Sequence, residues 1–253
     1  MRKMELEKSM IKRLSISSVA LFYLLLDLML ISVFTYLGFY SVKNIYAPSE
    51  MIWYGIGILY MLDAVAAGFS LTLIYQSSSL AYYIRFSKFK TYIYILSLFI
   101  AALISGMIYT LIYGGIIFPI IVFLHTGNSF EIITLSNLLP LLVSITISSL
   151  FMFLLVFLFT NILLLKFGAK ASRYSQVISY FLFILIIIPG FIPGINPIYY
   201  PIYGAEYVIS YSLVNATLSP YILELIVLSA LLAIGGNLIF KRMKMLRLEE
   251  VVW

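Results

Sequence analysis

Residues 81–90 read Ala81-Tyr82-Tyr83-Ile84-Arg85-Phe86-Ser87-Lys88-Phe89-Lys90. Three cations and four aromatic rings are set between two apolar runs, Met51 to Tyr75 before them and Tyr92 to Phe123 after them. A cationic loop resists translocation and stays on the cytoplasmic side, so the flanking runs predict two membrane helices joined on the inside. The same pattern repeats outward in both directions. Of the sixteen Lys and Arg residues, all but Lys43 fall in four short segments: 1–15, 76–91, 166–176 and 241–253. Each apolar run between them is long enough to cross hydrocarbon, which needs about 20 residues of helix. The expected fold is an all-α integral membrane protein. It has six transmembrane helices at 15–42, 51–75, 92–123, 137–165, 177–195 and 221–240, with both termini cytoplasmic.

Composition narrows the class further. The chain is 63% hydrophobic and 10% charged, with a mean hydropathy of +1.09. A soluble 253-residue domain has no use for so much apolar side chain. The net charge of +6 lies at the ends of the runs, where anionic headgroups attract it, so the expected partner is membrane lipid and not nucleic acid. With no Cys and a single His, His125, thiolate and multi-His metal sites are excluded. The first run, Ile16 to Tyr40, is too long for the core of a secretory signal and contains Asp27, so it reads as an uncleaved span. The expected location is the cell (plasma) membrane, with multiple passes.

All eight prolines fall in the predicted outer loops or outer halves of spans, and Asn215-Ala216-Thr217, a glycosylation acceptor, falls outside as well. Span 3 is longer than one crossing needs and should tilt, kink near Gly114-Gly115 and Pro119, or project. Residues 189–220 are too broken by proline for a straight helix and too apolar for a free loop. Irregular backbone at membrane depth survives only packed in protein or lining water. The expectation is short re-entrant or extracellular helices between spans 5 and 6. Tyr203, Tyr207 and Tyr211 lie along one stripe of such a helix; an aromatic belt at the outer interface accounts for most of the tyrosines there, and the two can coexist.

No nucleotide-binding P-loop, zinc-protease or serine-hydrolase motif occurs, and the chain is not expected to be an enzyme or to bind a cofactor. The sharpest polar features are Asp27 and Asp63, near the middles of spans 1 and 2. At roughly 1.5 Å per residue they lie about 16 Å and about 18 Å from the inner ends, so antiparallel neighbours bring them level. A carboxyl at the bilayer centre costs roughly 2.5–3.5 kcal/mol on insertion scales and marks a functional site by default. One reading is a proton or cation site on a transport path. The other is a neutral carboxyl bonded to Ser32, Thr35 or Tyr60. Ser144, Thr146, Ser148 and Ser149 either line a polar path or bond back to their own helix. Small residues one turn apart (Ala64 with Gly68, Ala102 with Gly106, Ser229 with Ala233) suggest close helix contacts. Residues 1–14 place Met4, Leu6, Met10, Ile11 and Leu14 opposite Lys3, Lys8, Lys12 and Arg13, an amphipathic helix for the inner interface.

Taken together, this layout resembles the permease subunits of ABC transporters, type 2 (exporter) class. The resemblance covers nearly the whole chain, read as a single transmembrane permease domain. Phe191-Ile192-Pro193-Gly194-Ile195-Asn196-Pro197-Ile198-Tyr199-Tyr200 is similar to the family's outer segment, where an apolar Pro turn precedes an Asn-Pro-aromatic step. Phe86-Ser87-Lys88-Phe89-Lys90-Thr91-Tyr92 resembles its coupling-loop stretch, with Lys88 in place of the usual Pro and without the Glu-x-Gly-Thr lead-in. The resemblance implies a permease homo- or heterodimer. It also implies a separate cytoplasmic ABC ATPase that binds ATP and Mg. Residues 82–91 would be the coupling helix, with Tyr83, Arg85, Phe86, Ser87, Lys88, Phe89 and Lys90 docking that ATPase. Spans 2 and 5 would face the dimer axis. The broken outer element, with 196–218 as its main part, would form an extracellular gate built on Pro189, Gly190, Pro193, Gly194, Asn196 and Pro197. Two alternatives stand beside it: an ion-coupled secondary transporter or channel using Asp27 and Asp63, and a non-transporting membrane assembly protein.

Overall fold

The computed structural model describes residues 18–39, 49–86, 91–127, 135–167, 171–212 and 219–246. The amphipathic segment 1–14, the outer loop with Lys43, Ser87 to Lys90, and residues 213–218 lie outside the described residues, as do the side chains of 75–86 and 91–94. No strand occurs among the described residues. The helices are α1 (Ser18–Gly38), α2 (Ser49–Phe86), α3 (Thr91–Ile112), α4 (Phe118–Thr126), α5 (Leu135–Phe167), α6 (Ala171–Phe191), α7 (Pro201–Tyr211) and α8 (Ser219–Leu246). A π turn, Tyr113–Ile117, joins α3 to α4.

Among the described residues, four stretches are long and apolar enough to cross a membrane: Ser49–Ile74, Ile95–Thr126, Asn137–Phe167 and Pro220–Phe240. Leu25–Gly38 and Val177–Phe191 are shorter apolar helices. Two loops read from the sequence are helical instead. α2 continues to Phe86, through the serines read as the start of the inner loop. α5 reaches Phe167 and α6 begins at Ala171, so most of the third cationic segment is also helix. Neither stretch contains a proline, and serine and glutamine do not terminate a helix unaided.

α2 is the axle of the bundle. It packs against α1, α3, the π turn, α5, α6 and α7. Its apolar stretch is 81% buried, whereas that of α8 is 17% buried and sits on the rim against α5. Trp53, Tyr54, Ile56, Leu59 and Met61 of α2 are enclosed, together with Tyr113, Phe118 and Tyr203 from its neighbours. The outer surface is the reverse of a soluble protein's. Met29 and Leu37 on α1, Tyr180 and Ile184 on α6, and Leu223, Leu231 and Leu238 on α8 all point outward. Apolar patches of this extent are foreign to a protein surface in water and suit lipid.

The third run breaks at Gly114-Gly115. Pro119 has no amide hydrogen for the Gly115 carbonyl, and its ring crowds the turn before it. The helix widens there, and the Phe118 amide bonds the Tyr113 carbonyl five residues back. The Tyr113 ring fills the space left by Gly57 on α2, where a Cβ would collide with it. Its hydroxyl pairs with Thr35 of α1 at 2.8 Å, tying three elements at one buried point.

Candidate functional site

The two intramembrane carboxyls lie on adjacent helices. The Tyr60 hydroxyl donates to Asp27 Oδ1 at 2.9 Å, and Asp27 is near enough to interact electrostatically with Asp63 and Tyr109. Asp63 is 1% exposed, and its Oδ1 has no hydrogen-bond partner. Of the partners expected for Asp27, Tyr60 is the one found. Ser32 bonds back to the Leu28 carbonyl, and Thr35 is engaged by Tyr113. The hydroxyls of α5 divide between the two expected roles. Thr146 bonds its own helix at Leu142, whereas Ser148 donates across to the Ala205 carbonyl of α7 at 3.2 Å.

The described part of the outer element is a reversal that exposes Phe191, Ile192, Ile198 and Tyr199, followed by a largely buried α7. α6 carries Pro189 in its last turn, and Gly190 lies against Trp53. The chain then reverses through Pro193 and Gly194, whose φ of 79° lies in the left-handed region that glycine tolerates. Asn196 Oδ1 accepts from the Ile198 amide at 3.0 Å, a local turn that delivers Pro197 and then Pro201 at the start of α7. The structure thus brings Pro189, Gly190, Pro193, Gly194, Asn196 and Pro197 into one reversal. Tyr200 closes it: its hydroxyl donates to the Leu185 carbonyl at 2.5 Å. In an uninterrupted helix the amide of residue 189 would occupy that carbonyl. Pro189 has no such amide, and Tyr200 takes its place.

α7 then packs against α2, α5, α6 and α8. Its tyrosines form a stack, with Tyr207 and Tyr211 rings 4.1 Å apart and Tyr207 also 4.8 Å from Tyr221 of α8. On its core side sits a residue that the sequence reading passed over, Glu206, which is 0% exposed with both carboxyl oxygens unpartnered. The signal was present in Ile202, Glu206 and Ser210, spaced four residues apart in the row that flanks the tyrosine stripe.

The expected ATPase-coupling residues are not brought into a described site. Tyr83, Arg85 and Phe86 are in the last turn of α2 with their side chains outside the description, and Ser87, Lys88, Phe89 and Lys90 lie outside the described residues. The described residues of α2 from Ser49 to Phe69 include no exposed side chain. α6, the counterpart of span 5, exposes Val177, Tyr180, Phe181 and Ile184. Among the described residues no group of three or more His, Cys, Asp or Glu side chains could hold a metal ion. Comparison of the chain with protein-family models, curated proteins and solved structures gives no match.

Proposed function

We propose that this chain is the membrane permease subunit of an ATP-driven exporter of the ABC type, crossing the plasma membrane six times with both ends inside. α1 and α6 supply the two crossings whose described apolar stretches are shorter. The observation that carries this reading is the outer break. α6 ends in a proline-built reversal, and the chain returns as a short buried helix before the last long one, an arrangement an exporter can use as an outer gate. The cationic aromatic stretch 82–91 is the docking segment for the ATPase, and ATP and Mg bind on that partner. Purification in mild detergent from the native membrane tests this. A nucleotide-hydrolysing subunit should accompany the chain, and the combined Arg85→Ala, Phe86→Ala, Phe89→Ala variant should release it. Absence of any such subunit, or its retention by the variant, counts against the assignment.

A second reading is favoured by one specific observation, the buried and unpartnered Asp63 Oδ1 beside Asp27. It makes the protein a proton- or cation-coupled carrier. Asp27→Asn and Asp63→Asn would then each abolish transport in vesicles that contain this chain alone. An exporter loses transport in those vesicles even without substitution, because its ATPase is missing.

A further inference from the structure

The core-facing side of α7 is made of Ile202, Ala205, Glu206, Ile209 and Ser210, all buried. Four of these suit a packed seam, and the acid does not. The seam around it is tight. A Cβ on Gly55 of α2 would come within 2.5 Å of the Glu206 carbonyl oxygen. The Ser210 hydroxyl reaches the Met51 carbonyl on α2 at 2.7 Å and the Glu206 carbonyl at 2.8 Å. From the other side, Ser148 of α5 holds the neighbouring Ala205 carbonyl.

Among the described residues no cation partners the carboxyl. α5 has no titratable side chain between Asn137 and Leu165, and its Lys166 lies at the far end. α2 brings Glu50 and Tyr54 near its outer end, with Asp63 deeper and Arg85 at the inner end. α8 brings Tyr221 and Glu224, and its Lys241 is at the opposite end. α6 has Tyr174 and Tyr180, with Arg173 in its first turn. On the Glu206 segment itself stand Tyr200, Tyr203, Tyr207 and Tyr211, with Tyr200 within electrostatic reach of Glu206. Burial holds the Glu206 carboxyl well above the ordinary carboxylate range. An ionised carboxylate in an apolar seam must find a partner or leave it, whereas a neutral acid is far less costly to bury.

We propose that Glu206 is a proton-binding site that latches α7 to α2: the neutral acid stays docked, and loss of its proton to the outer side releases the helix. The latch goes beyond the transport reading and does not depend on what drives transport. Its sign follows from linkage. The docked state holds the proton, and the released state has ordinary acidity. Docking is therefore fully favoured below the ordinary carboxylate range and weakens as pH rises, by up to about tenfold per pH unit for one proton.

The natural chain contains no Cys, so an introduced thiol reports alone. Ser212, just after α7, is 1% exposed. The rate at which a water-soluble maleimide labels Ser212→Cys is compared with the rate for the Ser212→Cys, Glu206→Gln double variant across pH. The ratio removes the thiol's own ionisation. It should climb with pH by up to about tenfold per unit, because Gln cannot ionise. A ratio that stays flat overturns the latch. Should Glu206→Gln not accumulate as folded protein, a lipid-soluble carbodiimide, which adds only to protonated acids, is applied to the Ser212→Cys protein. An adduct on the peptide containing Glu206 at acid pH that fades as pH rises supports the site. No adduct there at any pH overturns it.

Discussion

At the residue scale the most instructive contact is the Tyr200 hydroxyl on the Leu185 carbonyl. Pro189 leaves an acceptor empty inside an apolar bundle, and a side chain fifteen positions along the chain fills it. Replacing Tyr200 by Phe strands that carbonyl and should cost about 1–3 kcal/mol of unfolding free energy. Pro189→Ala restores an amide to the same carbonyl, so Tyr200→Phe should cost clearly less in that background. Denaturant unfolding of the four proteins in detergent measures the coupling, and equal costs in both backgrounds would refute the replacement argument. Sequence alone shows a proline in a helix but not which distant hydroxyl repairs it. Asp27, Asp63 and Glu206 differ in the same way. Asp27 and Asp63 stand out in apolar runs, and their adjacency follows from consecutive antiparallel helices. Glu206 is hidden beside Tyr203, Tyr207 and Tyr211, because a stripe of rings suggests an interface and the row flanking it draws no notice.

At the element scale, interruptions announce themselves and continuations do not. Gly114-Gly115 with Pro119 predicts a break, and the π turn falls there. Gln76 to Phe86 contains polar residues but no breaker, so α2 runs through it. Close approaches were legible only in part. Gly106 does meet Leu62 of α2, but α8 approaches Phe157 of α5 through Gly236, which no small-residue pair had marked. The π turn gives a paired prediction. A Cβ at Gly57 collides with the Tyr113 ring, whereas one at Gly115 meets nothing within 4 Å. Gly57→Ala must push the Tyr113 ring away from its Thr35 contact and should cost more than about 2 kcal/mol, the range of core overpacking. Gly115→Ala should be neutral or stabilise by up to about 1 kcal/mol through helix propensity. Thermal unfolding of both variants in the same detergent decides it. Equal effects would mean that the π turn does not lean on α2.

At the scale of the molecule, burial does not follow hydropathy. The α2 stretch has a hydropathy of 1.7 and is 81% buried, whereas the α8 stretch has 2.2 and is 17% buried. In water the most apolar helix would occupy the centre. Here the centre holds Asp63, tyrosines and glycines, and the rim is leucine and isoleucine, as expected where the surroundings are themselves apolar. Hydropathy could therefore find the helices, but it could not rank their burial. Leu231, 59% exposed on α8, separates the two environments. Leu231→Lys would be harmless in water, but facing lipid near the helix centre it should cost roughly 2.5–3.5 kcal/mol and lower the amount of inserted protein. Unchanged insertion and stability would argue against a lipid-facing rim. Sidedness needs its own measurement, and the chain's lack of Cys makes it direct. With both ends inside, Ser78→Cys faces the cytoplasm and Ser129→Cys the exterior. A membrane-impermeant maleimide added to intact cells should label the second and reach the first only after permeabilisation. The opposite pattern would place the Arg85 region outside, where no cytoplasmic ATPase could dock.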